Sequence, residues 1–168
     1  MTALAFATRH VARGTSLVAD EVETIDTRRL VLRRPAEEDM IAITALADNV
    51  RVAAKLPDMP SPYTIADAGR FIRRLRERPG GLSAYGIEYR DSGQLIGCCK
   101  IEAGEADSES RIGFWIGEPF WNKGYMTEAT QALIDNAFTH SPRLATVSAK
   151  VGVVNPAGRR VLEKCGFQ

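Results

Sequence analysis

The chemistry of this chain concentrates in one short run, Trp121-Asn122-Lys123-Gly124-Tyr125-Met126-Thr127-Glu128-Ala129. It follows a strand-like stretch, Ile112-Gly113-Phe114-Trp115-Ile116-Gly117, and leads straight into a helix-patterned segment from Met126 to Phe138. The first turn of a helix leaves backbone N–H groups without partners, and the aligned peptide dipoles favour negative charge there. A strand, a glycine-containing turn and a helix start therefore make an anion site. Phosphate is the group that suits several converging main-chain donors.

The elements that must position this turn can be read outward from it. Leu30-Val31-Leu32-Arg33 has the composition of a short strand. Pro35 opens a helix with Glu37, Glu38 and Asp39 in its first turn, and Ala36, Met40, Ile43 and Ala47 recur on one face. Leu56 to Pro62 is a proline-rich loop. A second helix starts at Thr64, an N-cap residue, with Asp67 three positions on. It carries the stripe Ala68, Phe71, Ile72 and Leu75 and stops at Pro79-Gly80-Gly81. Ser83 to Arg90 and Gln94 to Glu102 pair as a hairpin across Asp91-Ser92-Gly93, and Arg111 to Gly117 extends it to a meander. Ala145 to Val151 is a further strand. The last helix has Asn155 as N-cap, Pro156 at its first position and Gly166 just past its end. This order predicts an α/β fold with a mixed sheet, largely antiparallel in the middle.

Size and composition narrow the function classes. A chain of 168 residues is expected to form one domain with a real core. The net charge of +1 gives no electrostatic case for nucleic acid. No apolar run reaches the roughly 20 residues of a membrane helix. The three cysteines, Cys98, Cys99 and Cys165, have no metal or disulfide spacing, which suits a reducing, cytoplasmic setting and buried thiols. Cys98 and Cys99, adjacent in a strand, point to opposite faces. His10 and His140 have no partner pattern, and no metal site is expected. Residues 1–24 hold Arg9, His10 and Arg13 with no acid before Asp20 and no signal-peptide core. They are expected to form a mobile N-terminal extension to a domain spanning 25–168.

Three blocks now act together: Leu30-Val31-Leu32-Arg33-Arg34-Pro35, Ile112 to Ala129, and Asn155-Pro156-Ala157-Gly158-Arg159-Arg160-Val161-Leu162-Glu163-Lys164-Cys165-Gly166-Phe167. In this order and spacing the chain resembles the GNAT acyltransferase superfamily, and more narrowly the branch containing the ribosomal-protein N-terminal acetyltransferases. The resemblance covers residues 25 to 168. It implies a GNAT-like splayed sheet flanked by helices, acetyl-coenzyme A as donor and a primary amine as acceptor. By the same resemblance Asn122, Lys123, Gly124, Tyr125, Met126 and Thr127 form the pyrophosphate loop. Phe114, Trp115 and Ile116 form the strand that pairs with the pantetheine arm. Asn155 and Arg160 are implied cofactor contacts, although Asn155 already has a role as helix cap and Arg160 suits a solvated surface.

The chain departs from the family where proton chemistry is expected. Leu162 stands where many relatives have a tyrosine, Gly158 where the closer branch often has serine, and Arg111 where it often has glutamate. Glu102 and Glu109 are the nearest carboxylates left to relay a proton from the amine, while a solvated carboxylate beside Arg111 is the simpler role for each. The chain also ends at Gln168, before the two strands that usually follow Gly-Phe. Either the product is truncated or the edge of the Ala145 to Val151 strand is covered by the N-terminal arm or a partner subunit, and weak folding or homodimer formation is the expected consequence.

On the acceptor side, Arg70, Arg73, Arg74, Arg76 and Arg78 make one helix strongly basic. A solvated basic face accounts for them, and an acidic acceptor is the sharper alternative. A protein N-terminus and small amines both remain open. Two function classes follow: an acetyl-coenzyme A-dependent N-acetyltransferase, or a catalytically weak acyl-coenzyme A-binding module.

Overall fold

The computed structural model describes residues 4–10, 24–56, 58–77, 82–104 and 108–168. Its strands in chain order are β1 (Leu4–His10), β2 (Thr24–Asp26), β3 (Leu30–Arg33), β4 (Leu82–Tyr89), β5 (Gln94–Ala103), β6 (Glu109–Ile116) and β7 (Thr146–Gly152). The helices are α1 (Met40–Ala47), α2 (Val50–Ala53), α3 (Ile65–Glu77), α4 (Tyr125–His140) and α5 (Pro156–Lys164). The strands form one sheet in the order β1-β7-β6-β5-β4-β3-β2. Every pair is antiparallel except β6 with β7.

Local signals account for the helix boundaries. The Thr64 N–H donates to Asp67 Oδ2 at 2.8 Å and the Asp67 N–H to Thr64 Oγ1 at 3.4 Å, a reciprocal cap at the start of α3. Asn155 Oδ1 accepts the Gly158 N–H at 3.0 Å and starts α5. That helix ends with Gly166 at φ 84° and the Phe167 N–H bonded back to the Leu162 carbonyl at 3.1 Å. Only a residue that enters the left-handed region cheaply closes a helix this way.

Helices cover both faces of the sheet. Ile43, Ala47, Ala68 and Ile72 of α1 and α3 pack with Leu95 and Cys98 on one face. On the other, Met126, Ala129 and Leu133 of α4 pack with Leu30, Leu32, Ile87, Ile96 and Cys99. Ile134, Val147, Ala149, Val151 and Leu162 continue that layer towards α5. Cys98 and Cys99 thus face opposite layers, and burial pushes the Cys99 thiol up to about 12. Thr130 is a local inconsistency in this core: it is 1% exposed, and its hydroxyl finds no hydrogen-bond partner among the described residues. A buried, unsatisfied hydroxyl costs about 1–3 kcal/mol. Thr130→Val, which keeps the shape and removes the hydroxyl, is expected to raise stability by about 1 kcal/mol, read as a higher urea midpoint at unchanged slope.

The N-terminal residues differ from the expected mobile extension. Leu4–His10 pairs antiparallel with β7 from Leu4↔Gly152 to His10↔Thr146. Thr8 and Gln168 exchange N–H to carbonyl bonds at 3.2 Å on the other side of β1. The two alternatives for covering the β7 edge are thereby resolved in favour of the chain's own arm. The expectation of weak folding or homodimer formation loses its ground, because unpaired β7 backbone was its physical reason. The rest of the extension, residues 1–3 and 11–23, lies outside the described residues.

Candidate active site

The turn before α4 has two residues in the left-handed region, Asn122 at φ 61° and Gly124 at φ 79°. Asparagine and glycine are the types that enter it most readily, so the sequence suits the bend. The first amide drawn into the new helix is that of Glu128, which donates to the Gly124 carbonyl at 3.1 Å. Among the described residues, the N–H groups of Asn122, Lys123, Gly124, Tyr125, Met126 and Thr127 find no acceptor. Six consecutive amides without an acceptor among the described residues, at a helix start, are a set of donors suited to an anion.

Beside this loop β6 leaves its neighbour. It pairs with β5 from Ala103↔Ser110 to Gly97↔Ile116, but with β7 only from Glu109↔Thr146 to Ile112↔Ala149. Gly113 to Ile116 therefore present an edge that β7 does not use. The Ile116 carbonyl accepts the Trp121 indole N–H at 2.8 Å. Because N–H and C=O of one strand residue point the same way, alternation leaves the Phe114 N–H and C=O and the Ile116 N–H on the same free edge. An extended amide-bearing chain can pair there as an added strand does.

Loop and edge border a cavity of about 280 Å³. Ten of the eleven residues implied as cofactor contacts line it: Phe114, Trp115, Ile116, Asn122, Gly124, Tyr125, Met126, Thr127, Asn155 and Arg160. Lys123 does not; its ammonium lies 5.7 Å over the Phe120 ring instead. Asn155 caps α5 and borders the cavity at once, since the cap uses only its Oδ1 towards Gly158. Trp115 also packs with the α1–α3 layer. Trp121 is held by its bond to Ile116 and by Arg51 and Lys55, each 5.5 Å from its ring centre.

Glu102 and Glu109 are not brought to this cavity. Glu109 starts β6 and lies about 17 Å along the strand from Phe114, at roughly 3.3 Å per residue. Glu102 stands opposite Arg111 on β5, and its carboxylate takes the Lys100 ammonium at 3.1 Å. Among the residues that do line the cavity there is no Asp, Glu or His, whereas Lys55, Arg160 and Lys164 are cationic. This charge balance fits a ligand with several negative charges. Leu162, 1% exposed, belongs to the core and offers no proton.

Sequence reading missed the contribution of α2 and the residues after it, where Val52, Lys55 and Leu56 form one wall. The signal was present: Asn49 Oδ1 caps this short helix by accepting from the Arg51 and Val52 amides at 2.8 and 3.3 Å. A helix of four residues has no periodicity to detect.

Two carboxylates that anchor helical segments to β3 and the turn before it are held ionised. Burial pushes Glu128 up, but hydrogen bonds from the Thr27 hydroxyl and the Arg29 amide and guanidinium outweigh it, leaving the group below 4.5. Asp39 has the same balance: burial opposes, and Arg33 with the Ala36 amide brings it below 3.8. Groups with depressed folded-state values stabilise the fold above their unfolded values and lose that contribution as pH falls through the folded ones. Stability is therefore expected to be level above about pH 5 and to fall steadily below about 4.5. Urea midpoints across that range check this, and a level profile down to about pH 3 contradicts it.

The comparisons with known proteins agree with this geometry. The family model described as the acetyltransferase (GNAT) domain matches residues 29–168. The N-acetyltransferase YoaA of Bacillus subtilis, itself uncharacterized, is 30% identical over 148 residues, covering 86% of this chain and 82% of that protein. A GNAT-family acetyltransferase from Bacillus anthracis superposes with a TM-score of 0.77 at 22% identity, over 86% of this chain and 83% of the other. The ribosomal L7/L12 alpha-N-protein acetyltransferase RimL, solved with coenzyme A, superposes at 0.75 with 23% identity, over 87% and 84%. With five-sixths of its length matched by one family model and its sheet splayed at the expected strand, the chain belongs to the GNAT acetyltransferases.

Proposed function

We propose that this chain moves an acetyl group from acetyl-coenzyme A to a primary amine, directly and without a covalent enzyme intermediate. The observation that carries this is the run of six free amides from Asn122 to Thr127 beside the unused edge of β6. The loop amides suit the diphosphate, the Phe114 N–H and C=O suit the amides of the pantetheine arm, and Arg160 and Lys164 add positive charge at the cavity. Asn155 offers its free Nδ2 to the same ligand.

Acetyl-coenzyme A supplies the activated acetyl group as a thioester. The neutral amine adds to the thioester carbonyl carbon, an N–C bond forms, the C–S bond breaks, and the thiolate takes up a proton. The attacking nitrogen loses its own proton to solvent or to a base. The Ile116 N–H is the main-chain donor we assign to the developing oxyanion. Holding both reactants in line supplies the larger share of the acceleration, since no Asp, Glu or His lines the described cavity. Glu102, nearer along the sheet than Glu109, is the carboxylate we retain as a proton relay through water. RimL acts on a protein N-terminus, and an N-terminal amine is the acceptor class we place first.

Thiol release from acetyl-coenzyme A, measured against a panel of peptide N-termini, polyamines and amino sugars, tests this. Acceptor-dependent release is expected for at least one class. Buried Leu162 and a cavity without Asp, Glu or His favour a second reading, an acyl-coenzyme A-binding module. Saturable binding without release on any amine supports that module, and no binding at all defeats both.

A further inference from the structure

Arg29 lies outside the cavity, at the end of the turn between β2 and β3, yet it is bonded to the loop that borders it. Its Nε donates to Glu128 Oε2 at 2.7 Å and its backbone N–H to Glu128 Oε1 at 2.8 Å. Its Nη1 donates to the Lys123 carbonyl at 3.1 Å. The guanidinium carbon, Cζ, lies over the Tyr125 ring, 4.6 Å from its centre. Thr27 adds a hydroxyl bond of 2.7 Å to Glu128 Oε1. One side chain thus grips the loop on three sides, at residues 123, 125 and 128.

The Lys123 carbonyl bond has a directional consequence. A trans peptide is planar, so its C=O and N–H point in opposite directions. The C=O of the Lys123–Gly124 peptide is drawn to Arg29, behind the loop. The N–H of the same peptide, that of Gly124, is therefore turned away from Arg29, towards the cavity that Gly124 borders. Gly124 itself leaves room for this contact: a Cβ there would sit 3.4 Å from Arg29 Nη2. Glu128 in turn fixes the guanidinium, whose planar fork reaches carboxylate, carbonyl and ring face together. A lysine has one point charge and cannot make all three contacts.

We infer that Arg29, oriented by Glu128, is a positioning residue that sets the direction of the anion-binding amides and so the affinity for the diphosphate of the donor. It acts through the loop and touches no reacting atom. The inference rests on the acyl-coenzyme A reading of the cavity and adds to it a residue from the opposite end of the chain. The competing role is a plain clamp between the β2–β3 turn and α4, which would support every ligand equally.

Fluorescence titration separates the two roles, because Trp115 and Trp121 border the cavity and report on it. Coenzyme A and pantetheine, which lacks the diphosphate, are titrated into the full chain and into Arg29→Lys and Glu128→Gln. Arg29→Lys is expected to raise the coenzyme A Kd about tenfold or more while leaving pantetheine within about twofold, as one misdirected charged hydrogen bond predicts. Glu128→Gln, which keeps an acceptor but loses the ion pair, is expected to fall between. The Gly124 amide resonance of the free protein should shift in both variants. Equal weakening of both ligands, or coenzyme A affinity unchanged within about threefold, overturns the positioning role and leaves the site reading intact. Absence of coenzyme A binding by the unaltered chain defeats the site reading itself, and the inference with it.

Discussion

Gly124→Val is expected to raise the Kd for coenzyme A by about a hundredfold while leaving the fold in place. Gly124 sits at φ 79°. A left-handed conformation costs an ordinary L-residue roughly 1–2 kcal/mol, and a β-branched one is a genuine outlier there. The least costly response is for the bend to change its φ and ψ, which rotates the peptides on either side. Amides that converged on one anion then diverge. Each hydrogen bond to a charged group is worth about 1.5–3 kcal/mol, so losing two costs about 3 kcal/mol or more, which is roughly a factor of a hundred. Gly124 is exposed, and among the described residues a Cβ there would come within 4 Å of Arg29 alone, so the core does not feel the change. Titration followed by tryptophan fluorescence reads the affinity, and urea unfolding reads the fold. Asn122→Gly, also in the left-handed region at φ 61°, is the matched control and should bind normally. A valine variant that binds within about threefold of the unaltered chain would mean the loop does not hold the anion.

Gly97→Ala is expected to be the most destabilising single-methyl change in the sheet, at about 3 kcal/mol or more. A Cβ at Gly97 would stand 2.4 Å from the Trp115 carbonyl oxygen and 2.8 Å from Ile116 Cα. Both are backbone atoms of β6 and neither can rotate aside. Relief requires β5 and β6 to separate just where β6 turns its other edge to the cavity, so stability and ligand binding should fall together. Gly93→Ala is the contrast. Gly93 has φ 65° in the hairpin turn, but no atom of the described residues lies within 4 Å of its Cβ position. Its cost is conformational only, roughly 1 kcal/mol. Urea midpoints for the two variants should differ widely, and a smaller loss at Gly97 than at Gly93 would contradict the crowding between β5 and β6.

Local patterns determined much of this protein without help from the fold. The strand at 30–33, the hairpin across Asp91-Ser92-Gly93, and the helices from Thr64, from the 122–127 turn and from Asn155 each rest on residues within a few positions of one another. Caps, turn residues and apolar spacing are short-range physics, so they are legible in sequence. The anion loop belongs to the same class, because its amides are freed by the helix start itself and its bend by Asn122 and Gly124.

What tertiary structure alone decided is everything that depends on two distant segments meeting. Leu4–His10 has an unremarkable strand composition, and only the open edge of β7 gives it a partner. Lys55 and Leu56 reach the cavity because α1 and α3 pack on the sheet and carry the intervening segment over Trp121. Glu102 and Glu109 share a chemical type with catalytic carboxylates, yet strand register places them away from the cavity. Arg29 and Glu128 are 99 positions apart, and neither has a local reason to seek the other. A charge or an edge acquires a role from what approaches it in space, and spacing along the chain carries no record of that approach.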